Sequence, residues 1–167
     1  MSARRVIELL CVALLSGCSS DSALWVELVN VSDANAPTIV FDDVSVRLQP
    51  VGAPRSVDWR SNPASDQWWT PPPVDEQVRL SSGQRLRWRQ IKPPDGRWQR
   101  VWLDVSAAAT AHADGLSFAE DHCEPTAVEL RWPEDVGATL QIDVIALPSP
   151  TTSTQWATFV SRARVAH

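Results

Sequence analysis

From residue 23 onward the sequence is a series of short segments in which apolar and polar side chains alternate. The first segment shows the pattern, because Leu24, Val26 and Leu28 are separated by Trp25 and Glu27. Alternation of period two is typical of a strand with one buried face, since successive side chains of a strand point to opposite sides. The same pattern predicts strands over residues 23–31, 38–49, 76–80, 85–91, 97–105, 116–119, 126–132, 139–147 and 156–165.

Turn residues separate these segments. The chain has 13 prolines and nine tryptophans but no tyrosine. Clusters such as Asp33-Ala34-Asn35-Ala36-Pro37 favour turns, and the alternating helices that a parallel sheet requires are missing from the pattern. The sequence therefore predicts an all-β fold, an antiparallel β-sandwich or jelly roll of about nine strands. We expect residues 23–167 to form one such domain.

The best candidate for a binding surface is the segment 85–105, which we expect to form a hairpin around residues 92–96. Strict alternation along its two strands places two indoles and four guanidiniums, one of them that of Arg85, on one outer surface. The candidate ligand-binding residues on this surface are Trp98, Trp102, Arg87, Arg89 and Arg100. Indole rings stack on the apolar faces of sugars, and guanidiniums donate in a planar fork to hydroxyls and carboxylates. The surface is a candidate glycan-binding site. The alternative is that the tryptophans cover a second core and the arginines are solvated.

A proline-rich stretch over residues 50–73 interrupts the alternation. It contains six of the prolines and also carries Trp68 and Trp69. Loops of this length are uncommon in compact domains and often form binding loops or covers. We therefore add Trp68 and Trp69 to the candidate ligand-binding residues.

The N-terminus has the layout of an export signal. Arg4 and Arg5 precede an apolar run over residues 6–15, which is broken only by Glu8. The run is too short to span a bilayer, which needs about 20 apolar residues. It ends in Leu15-Ser16-Gly17-Cys18, which resembles the lipobox of bacterial lipoproteins.

The lipoprotein resemblance implies cleavage between Gly17 and Cys18 and a diacylglyceryl group on the Cys18 thiol. Residues 1–17 would then be a signal peptide, and residues 18–22 a tether of at most about 17 Å. Because Ser19 rather than an aspartate follows the cysteine, the resemblance also implies the outer membrane, with the domain facing the periplasm. The residues themselves leave two alternatives open, a secretory signal without lipid and a buried helix.

Charge and cysteine content restrict the partners further. The formal net charge is −5, with 20 acidic and 15 basic residues, and Lys92 is the single lysine. This argues against nucleic acid, because phosphate contacts demand clustered lysines and arginines. Of the three cysteines, Cys11 would leave with the signal and Cys18 would carry the lipid. Cys123 then remains alone, and we expect it to be buried.

The segment Phe41-Asp42-Asp43-Val44 resembles a strand of carbohydrate-binding jelly-roll modules. In such modules a nearby carboxylate helps to hold a structural calcium ion, which takes about six to eight oxygen ligands. The resemblance makes Asp42 and Asp43 candidate metal ligands. Two carboxylates alone do not make a site, so we expect no metal and no other cofactor.

Signals of catalysis are missing from the sequence. It contains no Gly-x-Ser-x-Gly elbow, and the paired acids Glu134-Asp135 are adjacent, so their side chains point apart. We therefore expect a non-catalytic, lipid-anchored protein that docks on an envelope protein assembly. A glycan-binding module is the second hypothesis, and an envelope enzyme is the third.

Overall fold

The structure, a computed structural model, describes residues 23–41, 44–55, 67–105, 118–149 and 156–167. For residues 118–122 it describes the backbone alone. The predicted signal peptide and tether, with Gly17 and Cys18, and the candidate metal ligands Asp42 and Asp43 lie outside these ranges. The statements made about them above stay predictions.

The described ranges contain ten strands, and the all-β prediction is confirmed. The strands are β1 Leu24–Asn30, β2 Ile39–Phe41, β3 Val44–Pro50, β4 Val78–Leu80, β5 Arg85–Ile91, β6 Gly96–Val105, β7 Phe118–His122, β8 Thr126–Trp132, β9 Thr139–Pro148 and β10 Trp156–Ala166. Nowhere in these ranges does the chain form a helix long and apolar enough to cross a membrane.

The strands form three sheets. The largest has the order β5-β1-β9-β10-β7, the second β3-β6-β8, and the smallest pairs β2 with β4. Most pairs are antiparallel, as the sequence predicts, but β1 with β9 and β10 with β7 are parallel. The C-terminal part of the chain is thus central to the large sheet, because β9 lies between β1 and β10.

The inward faces of the sheets enclose one hydrophobic core. Leu24, Val26 and Leu28 are completely buried in it, as their alternation predicts. Burial of such a side chain stabilises the fold by about 1.5–3 kcal/mol, because its apolar surface leaves water. Cys123 is also completely buried, which confirms the expectation for this thiol.

The hairpin predicted over residues 85–105 is wrong. β5 pairs with β1 at the edge of the large sheet, whereas β6 lies between β3 and β8 in the second sheet. Residues 92–95 therefore carry the chain from one sheet to another. The arrangement has a physical reason, since both strands have an apolar face and strands in different sheets can bury these faces in one common core.

Residues 81–84 form a tight turn after β4, but this turn does not close a hairpin between β4 and β5. Gln84 N–H donates to the Ser81 carbonyl over 3.0 Å, and Gly83 has a φ of 73°, a left-handed conformation that glycine adopts without steric cost. β4 nevertheless pairs with β2 rather than with β5. Turn chemistry is local, and it does not determine which strands meet.

Bulges in three strands change the side to which the following residues point. The pairing leaves one residue per strand without an opposite neighbour: Trp88 on β5, Gln99 on β6 and Ser161 on β10. The residue after each bulge is an arginine: Arg89, Arg100 and Arg162. Because an extra residue shifts the alternation by one, each bulge changes which residues of its strand share a face: Arg89 no longer shares one with Arg87, and Trp98 no longer shares one with Arg100.

Candidate functional site

The seven predicted ligand-binding residues do not form one surface. Two of them, Trp69 and Trp98, belong to or pack against the core. Trp68, Arg100 and Trp102 lie together against the second sheet. Arg87 and Arg89 lie on β5 in the large sheet. Two features separate these residues. The chain passes from one sheet to another between β5 and β6, and the bulges change the side to which some residues point.

Trp98 is the clearest correction. It lies opposite the buried Leu130, whereas Arg100 lies opposite the exposed Ala127. The bulge at Gln99 therefore puts residues 98 and 100 on different sides of the sheet, although strict alternation would put them on one side. Trp98 is only 6% exposed. The prediction that its ring forms part of an outer platform is wrong.

A short bridge to β3 positions the two loop tryptophans. The N–H groups of Leu48 and Trp69 donate to each other's carbonyl oxygens over 2.9 and 2.8 Å. Trp69 packs against Trp98 with ring centroids 6.0 Å apart. Its neighbour Trp68 points the other way, because successive residues of an extended chain alternate. Trp69 thus helps to close the core, and Trp68 covers the outer side of the sheet.

Trp102 lies on the outer side, as alternation predicts, but it is not accessible there. Trp68 meets it edge-on at 5.7 Å between ring centroids, and the Arg47 guanidinium lies 4.8 Å from its ring. Asp104 holds Arg47 in place through an ion pair of 2.5 Å. Since Trp102 is consequently only 6% exposed, the prediction of an exposed indole platform is also wrong here.

Arg100 takes part in the same cover. Its Nη1 donates to Gln49 Oε1 over 3.2 Å, and its guanidinium lies 5.5 Å from the Trp68 ring. Gln99 approaches the same buried Gln49 and also donates to the Pro50 carbonyl over 3.0 Å. These contacts resemble the alternative drawn from the sequence, in which the tryptophans cover a second core. They support a structural role for Arg100.

Arg89 does not share a face with Arg87. The bulge at Trp88 places Arg89 opposite Val26, whose side chain belongs to the core. Its Nη2 donates to the Pro72 carbonyl over 2.9 Å. Burial lowers the pKa of Arg89, because it disfavours the charged form, and attraction to Glu76 offsets part of this effect. Arg89 therefore joins the edge strand β5 to the proline-rich segment that contains Pro72, and it is not part of the candidate ligand-binding site.

Arg87 belongs to a different surface, which we call the arginine face. This is the outer side of four neighbouring strands of the large sheet, about 14 Å wide from β5 to β10. Its members are Trp25, Glu27, Arg85, Arg87, Gln141, Asp143, Arg162 and Arg164. Strand pairing aligns all of them except Trp25, together with Val29, in two rows that begin and end with arginine: Arg85-Val29-Asp143-Arg162 and Arg87-Glu27-Gln141-Arg164.

Asp143 organises one half of the arginine face. It is only 3% exposed, although it points away from the core. Arg162 donates to its Oδ2 from Nε over 3.0 Å and from Nη2 over 2.8 Å, and Arg164 Nη1 lies 3.7 Å from the same oxygen. Gln141 Nε2 donates to Oδ1 over 2.5 Å. The bulge at Ser161 brings Arg162 directly opposite this carboxylate.

The other half of the arginine face is held by single contacts. Arg85 Nη1 donates to Glu27 Oε1 over 3.2 Å, and the Arg87 guanidinium lies 4.9 Å from the ring of Trp25. The side chains of Arg85 and Arg162 remain 62% and 60% exposed. Each half of the arginine face thus combines two guanidiniums with one carboxylate. The face therefore carries positive charge at both of its edges, although the protein as a whole is acidic.

Sequence reasoning missed Asp143, Arg162 and Arg164. Two signals were available: Asp143 is an acid within an apolar strand, and Arg162-Ala163-Arg164 repeats the Arg-x-Arg spacing seen at Arg85 and Arg87. Neither signal indicates that β9 and β10 pair, nor that a bulge brings Arg162 opposite Asp143. The site therefore depends on pairing that the local pattern does not contain.

A groove of about 860 Å³ borders the arginine face at Arg164. It lies between β8 and the end of β10, with Ala163 and Val165 on one wall and Glu129 and Arg131 on the other. Ion pairs and hydrogen bonds join several of the residues that line the groove. Asp135 accepts a hydrogen bond from the Arg131 N–H over 2.6 Å and approaches His167 at 3.5 Å.

Glu129 in this groove should titrate below its ordinary pKa, because Arg131 donates a hydrogen bond to it and attracts its charge. We expect Arg131→Gln to raise the Glu129 pKa, measured by NMR titration of its carboxyl carbon. Since the folded pKa lies below the unfolded one of about 4.3, the pair stabilises the fold above that pH. This contribution is lost as the pH falls through the folded pKa.

Arg97→Gln is the matched control, because Arg97 attracts Glu129 without the hydrogen bond and has the smaller effect. An equal rise of the Glu129 pKa in both variants would contradict a specific bond to Arg131.

No family model, curated protein or solved structure matches this chain.

Proposed function

We propose that this chain is a lipid-anchored, non-catalytic protein of the cell envelope that docks on a protein partner through the arginine face. The observation that carries the proposal is the combination of fixed and exposed guanidiniums on a four-strand surface. Arginine is enriched among the residues that dominate binding energy at protein interfaces. Guanidiniums already held in place lose less conformational entropy when a partner binds.

The N-terminal residues support membrane attachment. The Leu15-Ser16-Gly17-Cys18 segment resembles a lipobox, and β1 begins at Leu24. The five residues 19–23 can span at most about 17 Å, so the domain stays close to the bilayer surface. A partner within reach is itself at the membrane. Because Ser19 rather than an aspartate follows Cys18, the proposed localisation of the protein is the outer membrane, with the domain on the periplasmic side.

Glycan binding loses its main support. The proposal depended on Trp98 and Trp102 as an exposed stacking platform, and each is only 6% exposed. Trp25 is a partly exposed indole on the arginine face, but the Arg87 guanidinium lies over its ring. A sugar ring would have to displace this contact, so the geometry favours a protein partner.

Photo-cross-linking in the native host tests the docking surface. A photoreactive amino acid at Gln90, which is exposed and lies opposite Trp25, should capture one protein partner of fixed mass. The same amino acid at the exposed Arg79 on β4 serves as the control and should capture none. Cys18→Ala should move the protein out of the membrane fraction. It should also reduce the Gln90 adduct by about tenfold or more, because tethering raises the effective concentration near the partner.

Two outcomes would count against the proposal. Equal capture from Gln90 and Arg79 would show that the arginine face is not the docking surface. A Cys18→Ala protein that stays in the membrane fraction, with an undiminished adduct, would show that the lipid is not what holds it there.

A further inference from the structure

The charges around Asp143 are not balanced. Arg162 and Arg164 approach a single oxygen, Oδ2, while Gln141 occupies Oδ1. One carboxylate therefore faces two guanidiniums, and within the described part of the chain no second carboxylate pairs with either arginine. Two like charges held close together attract a further anion.

The unused donors of this pair are accessible. An arginine carries five N–H donors, and Arg162 uses its Nε and Nη2 groups on Asp143. The side chains of Arg162 and Arg164 are 60% and 38% exposed. Their free edges therefore meet solvent, whereas their positions are fixed by the sheet and by the buried carboxylate beneath them. An incoming anion would find the donors already arranged.

The chemistry of the site favours a carboxylate on a protein over a lipid surface. Guanidinium groups match the planar, bidentate geometry of carboxylates. Clusters of about four to eight cationic residues are typical of surfaces that bind acidic lipid headgroups. Here the acids Glu27 and Asp143 divide the cations into two separate pairs. Each pair is suited to one discrete anionic group.

We infer that Arg162 and Arg164 form a receptor for one aspartate or glutamate side chain of the docking partner. The incoming carboxylate completes the neutralisation that Asp143 begins, and it accepts hydrogen bonds from the solvent-facing donors of the two arginines. The identity of the ligand as a partner side chain rests on the proposed docking function. The receptor itself is a property of this chain and can be measured without the partner.

The test uses the full-length protein in detergent micelles and fluorescence anisotropy. The probes are a labelled peptide rich in glutamate, the same peptide with glutamine in place of glutamate, and unlabelled glycerol phosphate as competitor, the soluble headgroup of an acidic lipid. We expect the glutamate peptide alone to bind. The Arg162→Lys/Arg164→Lys variant should bind it about tenfold more weakly, because lysine keeps the charge but loses the planar fork.

Arg79→Lys/Arg97→Lys is the matched control, since both arginines are exposed and lie outside the arginine face. It should bind like the wild type. Net charge is the same in all these proteins, so general electrostatic attraction acts on them equally and would not produce a difference in affinity between them. Arg164→Lys alone is the second variant if the double one unfolds. Arg164 Nη1 lies 3.7 Å from Asp143 Oδ2, so this arginine contributes less to the stability of the fold than Arg162. It should also weaken binding.

Three results would overturn the inference. They are equal affinity for the glutamate and glutamine peptides, equal affinity of the Arg162→Lys/Arg164→Lys variant and the wild type, and tighter binding of glycerol phosphate than of the glutamate peptide. The last result would assign the arginines to a lipid headgroup. None of these results depends on the Gln90 cross-link, so failure of the receptor and failure of the docking function can be told apart.

Discussion

Trp98→Ala is expected to lower the free energy of unfolding by about 3–5 kcal/mol, the usual cost of truncating a large buried aromatic side chain. The indole is 6% exposed, it belongs to the core cluster, and it packs against Trp69. Its removal takes away apolar contacts and leaves a cavity that the surrounding strands fill only in part. Chemical denaturation of the full-length protein, followed by circular dichroism, measures the loss.

Trp25→Ala is the matched control for this experiment. Trp25 lies on the outer side of the large sheet and is only partly buried, so its truncation should cost clearly less. Equal losses in the two variants would place Trp98 on the surface, as strict alternation along β6 predicts. They would also contradict the bulge at Gln99.

The Arg162→Ala/Arg164→Ala variant is expected to lose about 2 kcal/mol of stability, because it leaves a buried carboxylate without a cation. Among the residues that the structure describes, the Asp143 carboxylate would keep only the hydrogen bond from Gln141. Removal of the two long side chains also lets water approach Asp143, which keeps the loss below that for a fully enclosed ion pair. Arg164→Ala alone should cost much less, since Arg162 makes both of the close contacts.

Adding Asp143→Asn to the double variant provides the decisive comparison. Asparagine removes the uncompensated charge and retains an oxygen for Gln141, so most of the lost stability should return. If the triple variant were as unstable as the double one, the loss would come from packing of the arginine side chains. The ion pairs at Asp143 would then not be its cause.

Much of the fold follows from local pattern. The predicted strands over residues 85–91 and 126–132 coincide with β5 and β8. The inward face of β1 is also correct, because Leu24, Val26 and Leu28 occupy every second position of the strand. The local pattern predicts these strands correctly, because burial on one side of a strand requires apolar residues at every second position of its sequence.

Pairing and bulges account for what the sequence could not predict. The turn at residues 92–95 is compatible with a hairpin, but β5 and β6 lie in different sheets and bury their apolar side chains in one core. A bulge adds one residue without changing composition, so nothing near Gln99 distinguishes it from a regular position. The same holds for Ser161, on which the contact between Arg162 and Asp143 depends.

The position of arginines directly after the bulges has a consequence for folding. If β10 slid by one residue along β9, Arg162 would exchange its carboxylate partner for a place among aliphatic side chains, and the same slip of β6 would carry Arg100 inward. Wrongly aligned states of these two strands are thus heavily penalised. The cation that we assign to recognition at Arg162 also enforces the correct alignment of the strand that carries it.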